Sequence, residues 1–494
     1  CAQADETFGI DRKSVIKVVE AAVRRTMNAY PNPHTKPFKA KEPFAGLSHG
    51  LMFVDVLEQM YLLQSDQSYL DFAEYLLADY NQHLVSEQDI QIKNLLDEDY
   101  YFQGHGVHTY EHLRALALVS FYCSHFRYSS SQAHKWHKAL EAYLQKLSKV
   151  LCISGAPIGD EWISERLADA DNTGYEYCSI HELLDSYCLL LRLSGDMQWA
   201  ERIEWLLFNA AMGARTNDSK RICYCHTDNA SKLTGQLDDK AENNPKEERF
   251  KLSSVHQDVA VCCVPNAGRI FPYFLQSAVM QDSQGLVLNQ FVSHHCRHSW
   301  NEGVLSLEVE GSYPFDTAFT LKLSNSSQKP AMVKIRVPTW CEKLLIDGKT
   351  VSAHKKNSYS LVVMGNTETI RHDIRFETRT RILESSGTTP CLSLAYGPLL
   401  YVNPLQSKIK KGREYPLSGY SDHYLQADNP VEYAWKIGAS YESKPVNEST
   451  VYWHQSPTLA AELFNTMSGE MESVELQPFG STILRQAAFK VLTN

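Results

Sequence analysis

At 494 residues the chain exceeds one ordinary domain and suggests two or three. With 43% apolar and 21% charged residues it can bury a sizeable core, which excludes intrinsic disorder. A net charge of −10 disfavours nucleic acid or an anionic membrane surface as the main partner, and no apolar run of about eighteen residues exists to span a bilayer.

Aromatic residues make up 11% of the chain, a supply of flat amphipathic rings that suits sugar ligands beside its role in the core. Twelve cysteines are too dilute for a disulfide scaffold. The chain opens on Cys1 and a polar stretch to Phe8, which fits a processed lipoprotein anchored through Cys1 in the periplasm or at the cell surface. A sequence cut at that point, from a cytoplasmic protein, fits equally.

Up to about residue 280 the apolar period is helical. Val15, Val18, Val19, Ala22, Val23 and Met27 mark a helix over Lys13–Tyr30. Similar stripes predict helices over Leu51–Leu63, Tyr69–Leu84, Thr109–Cys123, Ser131–Leu151, Ser179–Leu193 and Gln198–Ala214. Met60–Leu77 and Leu189–Leu207 share one layout: an apolar helix end, a Ser/Asp turn able to cap, then a second amphipathic helix. Repeated α-hairpins stack into a solenoid or a closed α/α toroid. Asn217–Arg249 is polar and reads as an excursion from that body.

Beyond about residue 285 the period becomes 2. Gly303–Glu310, Thr317–Leu323 and Ala331–Val337 alternate apolar with polar, a β-sandwich signature. The expected domains are therefore 1–284 helical, 285–424 a β-sandwich, and 425–494 a C-terminal β-rich segment that forms a second sandwich or completes the first.

The sharpest constellation is Glu176-Tyr-Cys178 followed, after 83 intervening residues, by Cys262-Cys263. Three thiolates and a carboxylate suit a tetrahedral zinc shell. Glu176 and Cys178 share a face only where the backbone is extended, as it is just before a helix near Ser179. The bland alternative makes the cysteines small buried apolar residues and Glu176 a helix-start carboxylate.

Cys262-Cys-Val-Pro-Asn-Ala-Gly-Arg269 resembles the double-cysteine signature of the β-L-arabinofuranosidases, glycoside hydrolase family 127. Glu176-x-Cys178 is similar to that family's other zinc motif. Ile335–Trp340, Ala395–Tyr401 and Gln477–Arg485 resemble its later strands in the right order. The resemblance implies an (α/α)6 barrel followed by β-sandwich domains, and zinc held by Glu176, Cys178, Cys262 and Cys263. It implies an exo-acting retaining glycosidase whose nucleophile is Cys262, working through a thioglycosyl intermediate on an oligosaccharide or glycoside. The missing Trp-x-x-Gly-Asp turn near Gly365–Arg371 and the residues Tyr177 and Ile180 depart from the family pattern, so the sugar could be L-arabinofuranose or a related plant-type sugar.

A general acid is expected in Gly159-Asp-Glu-Trp162. Residue type favours Glu161, with Trp162 able to desolvate it; family spacing leans to Asp160, and Glu165 stands third. By the same resemblance His105 and His49 are sugar-contacting histidines at helix starts. Gly46-Leu-Ser-His-Gly50 matches a nucleophile elbow in letters only, because no apolar strand precedes it. Cys223-Tyr-Cys225-His226, and His294 with Cys296 and His298, are candidate second metal sites; otherwise they are loop or core residues, with Tyr224 facing a substrate cleft. Two further classes stay open: a non-catalytic carbohydrate-binding protein with structural zinc, and an α/α-toroid lyase or glycosidase using carboxylates such as Asp169 or Asp171.

Overall fold

The structure is a computed structural model that describes residues 11–30, 37–39, 47–126, 131–237, 247–260, 262–351, 358–365, 368–385, 390–428, 430–436, 441–443 and 457–492. Cys1, the expected anchor residue, lies outside them. Helices dominate to residue 278 and sheets follow. The chain divides into two compact units, residues 1–146 and 147–494. Among the described residues no helix is long and apolar enough to cross a membrane.

The first unit holds helices Arg12–Ala29, Phe53–Gln64, Ser68–Tyr80, Gly106–Glu111 and Leu113–Phe126, with most of Ser131–Lys149. Asp11 caps the first by accepting from the Lys13 amide at 3.1 Å. The stretch expected as one helix over Thr109–Cys123 is two, parted by a turn at His112. Leu57, Met60, Leu77, Tyr80, Tyr110 and Leu116 are fully or almost fully buried. Asp89, also buried, accepts from the amides of Gln103 and Gly104 and from the Tyr100 and Thr109 hydroxyls at 2.6–2.9 Å, which ties down the loop before helix Gly106–Glu111.

The repeated layout has one physical origin in both copies. Helix Phe53–Gln64 stops at Ser65 and helix Tyr177–Ser194 at Gly195, each a left-handed residue whose amide closes on the last turn. Asp66 and Asp196 then accept from the amides of Ser68 and Gln198, at 2.9 and 3.0 Å, and start the next helices.

In the second unit, helix Gln198–Leu206 continues as a π turn over Leu207–Ala211. Asn209 in that turn bonds the Pro398 carbonyl and the Leu400 amide, at 3.2 and 2.8 Å, and so stitches the helix to strand Leu399–Pro404. Period-2 segments become a six-stranded sheet containing Gly303–Gly311, Ala318–Asn325 and Glu368–Glu377, and a four-stranded sheet containing Gly285–Leu288 and Ala331–Val337. Each buries alternate residues, such as Phe319, Leu321 and Leu323 in the first and Val333 and Ile335 in the second.

The boundary placed between residues 424 and 425 falls within strand Ser421–Ala427. The C-terminal strands complete a nine-stranded sheet that begins at Arg381–Glu384. Asn217–Arg249 is more than an excursion: its strands Ile222–Cys223 and Lys232–Leu233 join Leu252–Ser253, Ser407–Glu414 and Ser421–Ala427 in a five-stranded sheet.

Candidate active site

Four short segments of the second unit lie side by side. The Glu176 amide bonds the Gly159 carbonyl at 3.1 Å, and strand Tyr175–Glu176 pairs antiparallel with Cys225–His226. The Tyr177 amide reaches the Tyr224 carbonyl at 2.9 Å, and the Cys225 amide the Arg249 carbonyl at 3.1 Å. This ladder collects Glu161, Glu176, Tyr224 and Arg249 at one place. Glu161 sits at φ +100°, a conformation that costs a non-glycine residue about 1–3 kcal/mol and that clusters at functional sites.

Glu176, in extended conformation, is the N-cap of helix Tyr177–Ser194, and Cys178 is that helix's second residue. Cys262 occupies the N-cap of the short helix Cys263–Asn266. The two stretches meet as expected. One Glu176 oxygen stands 3.1 Å from the Cys263 sulfur and 3.5 Å from the Cys262 sulfur, and the two sulfurs are 3.9 Å apart. Donor atoms of Glu176, Cys178, Cys262 and Cys263 all fall within 4.8 Å of one another. This set can hold a metal ion.

Burial distinguishes the thiols. Cys178 and Cys263 are buried, while Cys262 is half-buried. Hydrogen bonds from Cys178 and Cys263, helped by the Tyr224 hydroxyl at 3.2 Å, hold the Cys262 thiol far below its ordinary range. The bond to Cys262 drives Cys178 upward, and burial does the same to Cys263. Burial, then the charge of Glu176, raises Tyr224, which stays a protonated donor.

The three acid candidates separate. Asp160 is buried and paired with Arg166, while Glu165 is exposed. Glu161 is half-buried, with the Arg249 guanidinium at 3.1 Å and a carboxylate oxygen within 4.8 Å of one from Glu176. The charged partner Arg249 was not foreseen beside Trp162. It was hidden because it arrives from a segment 88 residues downstream with no motif of its own.

His49 and His105 lie in the first unit, with His108 between them at ring separations of 3.8 and 4.6 Å. His105 is the N-cap of helix Gly106–Glu111, and His49 is exposed in the 3-10 turn Ser48–Met52. Ser48 is no elbow nucleophile: its hydroxyl donates to buried Glu87 at 2.5 Å. Among the described residues, neither Cys223 with Cys225 and His226 nor His294 with Cys296 and His298 gathers into a metal-holding group. Cys223, Cys225 and His226 are buried, and burial pushes both thiols up.

A sequence model of the β-L-arabinofuranosidase GH127 catalytic domain matches residues 47–276, and one of the GH127 middle domain matches residues 285–370. Together they take in well over half of the chain. A search of curated proteins finds no match. Among solved structures, one titled "Glycoside hydrolase" is similar at 15% identity and TM-score 0.70, over 97% of this chain and 80% of its own. A GH127 β-arabinofuranosidase is similar at 14% identity and TM-score 0.65, over 97% and 72%. A GH127 β-L-arabinofuranosidase from Geobacillus stearothermophilus T6 follows at 15% and 0.63, over 94% and 74%. With both family domains matched in order, and the vicinal cysteines inside the catalytic one, the chain belongs to the glycoside hydrolases of family 127, the β-L-arabinofuranosidase family.

Proposed function

We propose that this glycoside hydrolase is an exo-acting, zinc-dependent retaining enzyme with Cys262 as nucleophile and Glu161 as general acid and base. The reading rests on one observation above others. Of four clustered donors only Cys262 is not buried, and Glu161 approaches the same cluster from an adjoining segment. Three sulfurs and one carboxylate oxygen, three of the four residues buried, fit zinc by donor type. When bound there, zinc would supply the positive charge that keeps the thiols ionised at neutral pH.

In the first step the Cys262 sulfur attacks the anomeric carbon, the bond to the leaving oxygen breaks, and Glu161 delivers a proton to that oxygen. In the second, Glu161 takes a proton from water. The water oxygen attacks the anomeric carbon and the carbon–sulfur bond breaks, restoring the Cys262 thiolate and the original configuration. The Tyr224 hydroxyl steadies charge on that sulfur in both. β-L-Arabinofuranosides, or glycosides of a related plant-type sugar, are the proposed substrates, with the similar enzymes as precedent. His49 and His105 are proposed to contact the sugar, in a helical body closed as an (α/α)6 barrel.

Cys262→Ser should abolish turnover of an aryl β-L-arabinofuranoside while far-UV circular dichroism stays that of the parent. Substantial residual turnover would remove Cys262 from the nucleophile's place.

A further inference from the structure

Arg485 is a buried, densely hydrogen-bonded cation of the second unit, and no step above uses it. It is fully buried on the short strand Arg485–Gln486, with its guanidinium carbon over the Phe479 ring, 3.5 Å from the centroid. Nη1 donates to the Gly213 carbonyl at 2.8 Å and Nε to the Asp228 carbonyl at 3.2 Å. Nη2 donates to the Tyr175 hydroxyl and the Thr227 carbonyl, both at 3.2 Å. Tyr175 immediately precedes Glu176, and Thr227 immediately follows the strand Cys225–His226 that pairs with it. One guanidinium nitrogen, Nη2, thus bridges both sides of the ribbon that presents Glu176 and, one residue before its other strand, Tyr224, while Nε and Nη1 anchor the group to neighbouring carbonyls.

We propose that Arg485 is a positioning residue: its fork fixes the register of the Tyr175–Glu176 and Cys225–His226 ribbon, so that Glu176 and Tyr224 meet the vicinal cysteines. The C-terminal strand is then a working part of the site, brought some 300 residues along the chain to a place two short strands cannot hold unaided. The Tyr175 hydroxyl is the link nearest to Glu176. A lysine at 485 keeps the charge but lacks the separate Nε and Nη1 donors that hold the Asp228 and Gly213 carbonyls.

The inference rests on the thiol cluster being the site, and its test reads the cluster with and without metal. Tyr175→Phe and Arg485→Lys are compared with the parent and with Leu323→Ala, a core change in the sandwich. In both site variants zinc affinity by chelator competition should fall about tenfold or more, as losses of outer supports to a metal site do. The rate of Cys262 alkylation by iodoacetamide in metal-free protein, read by peptide mass spectrometry, should change severalfold. kcat should fall while KM holds, and Leu323→Ala should lower the melting temperature without moving the alkylation rate. An unchanged zinc affinity and alkylation rate in Tyr175→Phe would overturn the inference, as would an equal change in Leu323→Ala. If the parent neither binds zinc nor cleaves glycosides, the proposed function falls, and the metal-free alkylation still decides this proposal.

Discussion

The Tyr224 hydroxyl stands 3.2 Å from the Cys262 sulfur, so the one half-buried thiol of the cluster is also the one with a phenol donor. A hydrogen bond to a charged group contributes about 1.5–3 kcal/mol. Tyr224→Phe should therefore lower kcat/KM about ten- to hundredfold and raise the pH at which Cys262 becomes reactive to iodoacetamide. Unaltered alkylation across the pH range would show that the contact carries no weight.

Glu161 and its neighbour Asp160 should behave differently. Glu161→Ala should cost about 10²–10⁴-fold on glycosides with poor leaving groups and much less on activated aryl glycosides. A uniform loss on both would argue against proton delivery. Asp160→Asn breaks the buried pair with Arg166 and should chiefly lower the melting temperature, with the leaving-group dependence of the parent.

His256 links pH to stability. It is buried, bonds the Ile222 carbonyl at 2.9 Å through Nε2, and lies against the Tyr224 ring. Burial lowers it to about 4, below the ordinary 6.5 of an unfolded chain. Between those values the unfolded chain binds the extra proton, so stability present above pH 6.5 is lost as pH falls toward 4. The contribution is on the order of 3 kcal/mol. Its backbone is left-handed at φ +52°, which asparagine tolerates, so His256→Asn is the suitable variant. Denaturant titrations from pH 7 to 4 should show a slope shallower by one proton in that variant; an identical slope would contradict the assignment.

Gly213 tests the packing behind the ribbon. A methyl group there would overlap the Phe479 ring on which Arg485 rests. Gly213→Ala should destabilise by about 1–3 kcal/mol, seen as a lower melting temperature. A variant as stable as the parent would show that the ring has room to move.

The change of apolar period near residue 285 was legible because helix Ile270–Ala278 gives way directly to strands Val279–Asp282 and Gly285–Leu288. The meeting of Glu176 and Cys178 with Cys262 and Cys263 was legible from residue type and from the extended backbone at a helix start. What was not legible shares one cause. Ile222–Cys223, Cys225–His226 and Lys232–Leu233 are two-residue strands, too short for any periodicity, and the first and last join a sheet whose longest strands lie near residues 407–427. Arg249, joined to Cys225 by a backbone bond, and Arg485, on a strand of the nine-stranded sheet, likewise reach the site region from distant stretches of chain, so a scan of neighbouring residues cannot see them. That Arg166 engages Asp160 while Arg249 engages Glu161 is also a matter of loop conformation rather than spacing.

The measurement closest to the heart of this account is peptide mapping of enzyme quenched during turnover of an aryl β-L-arabinofuranoside. A pentosyl group on the Cys262 sulfur, with the first-formed product keeping its anomeric configuration by NMR, is the predicted result. A sugar adduct on a carboxylate instead, or a product of inverted configuration, would contradict it.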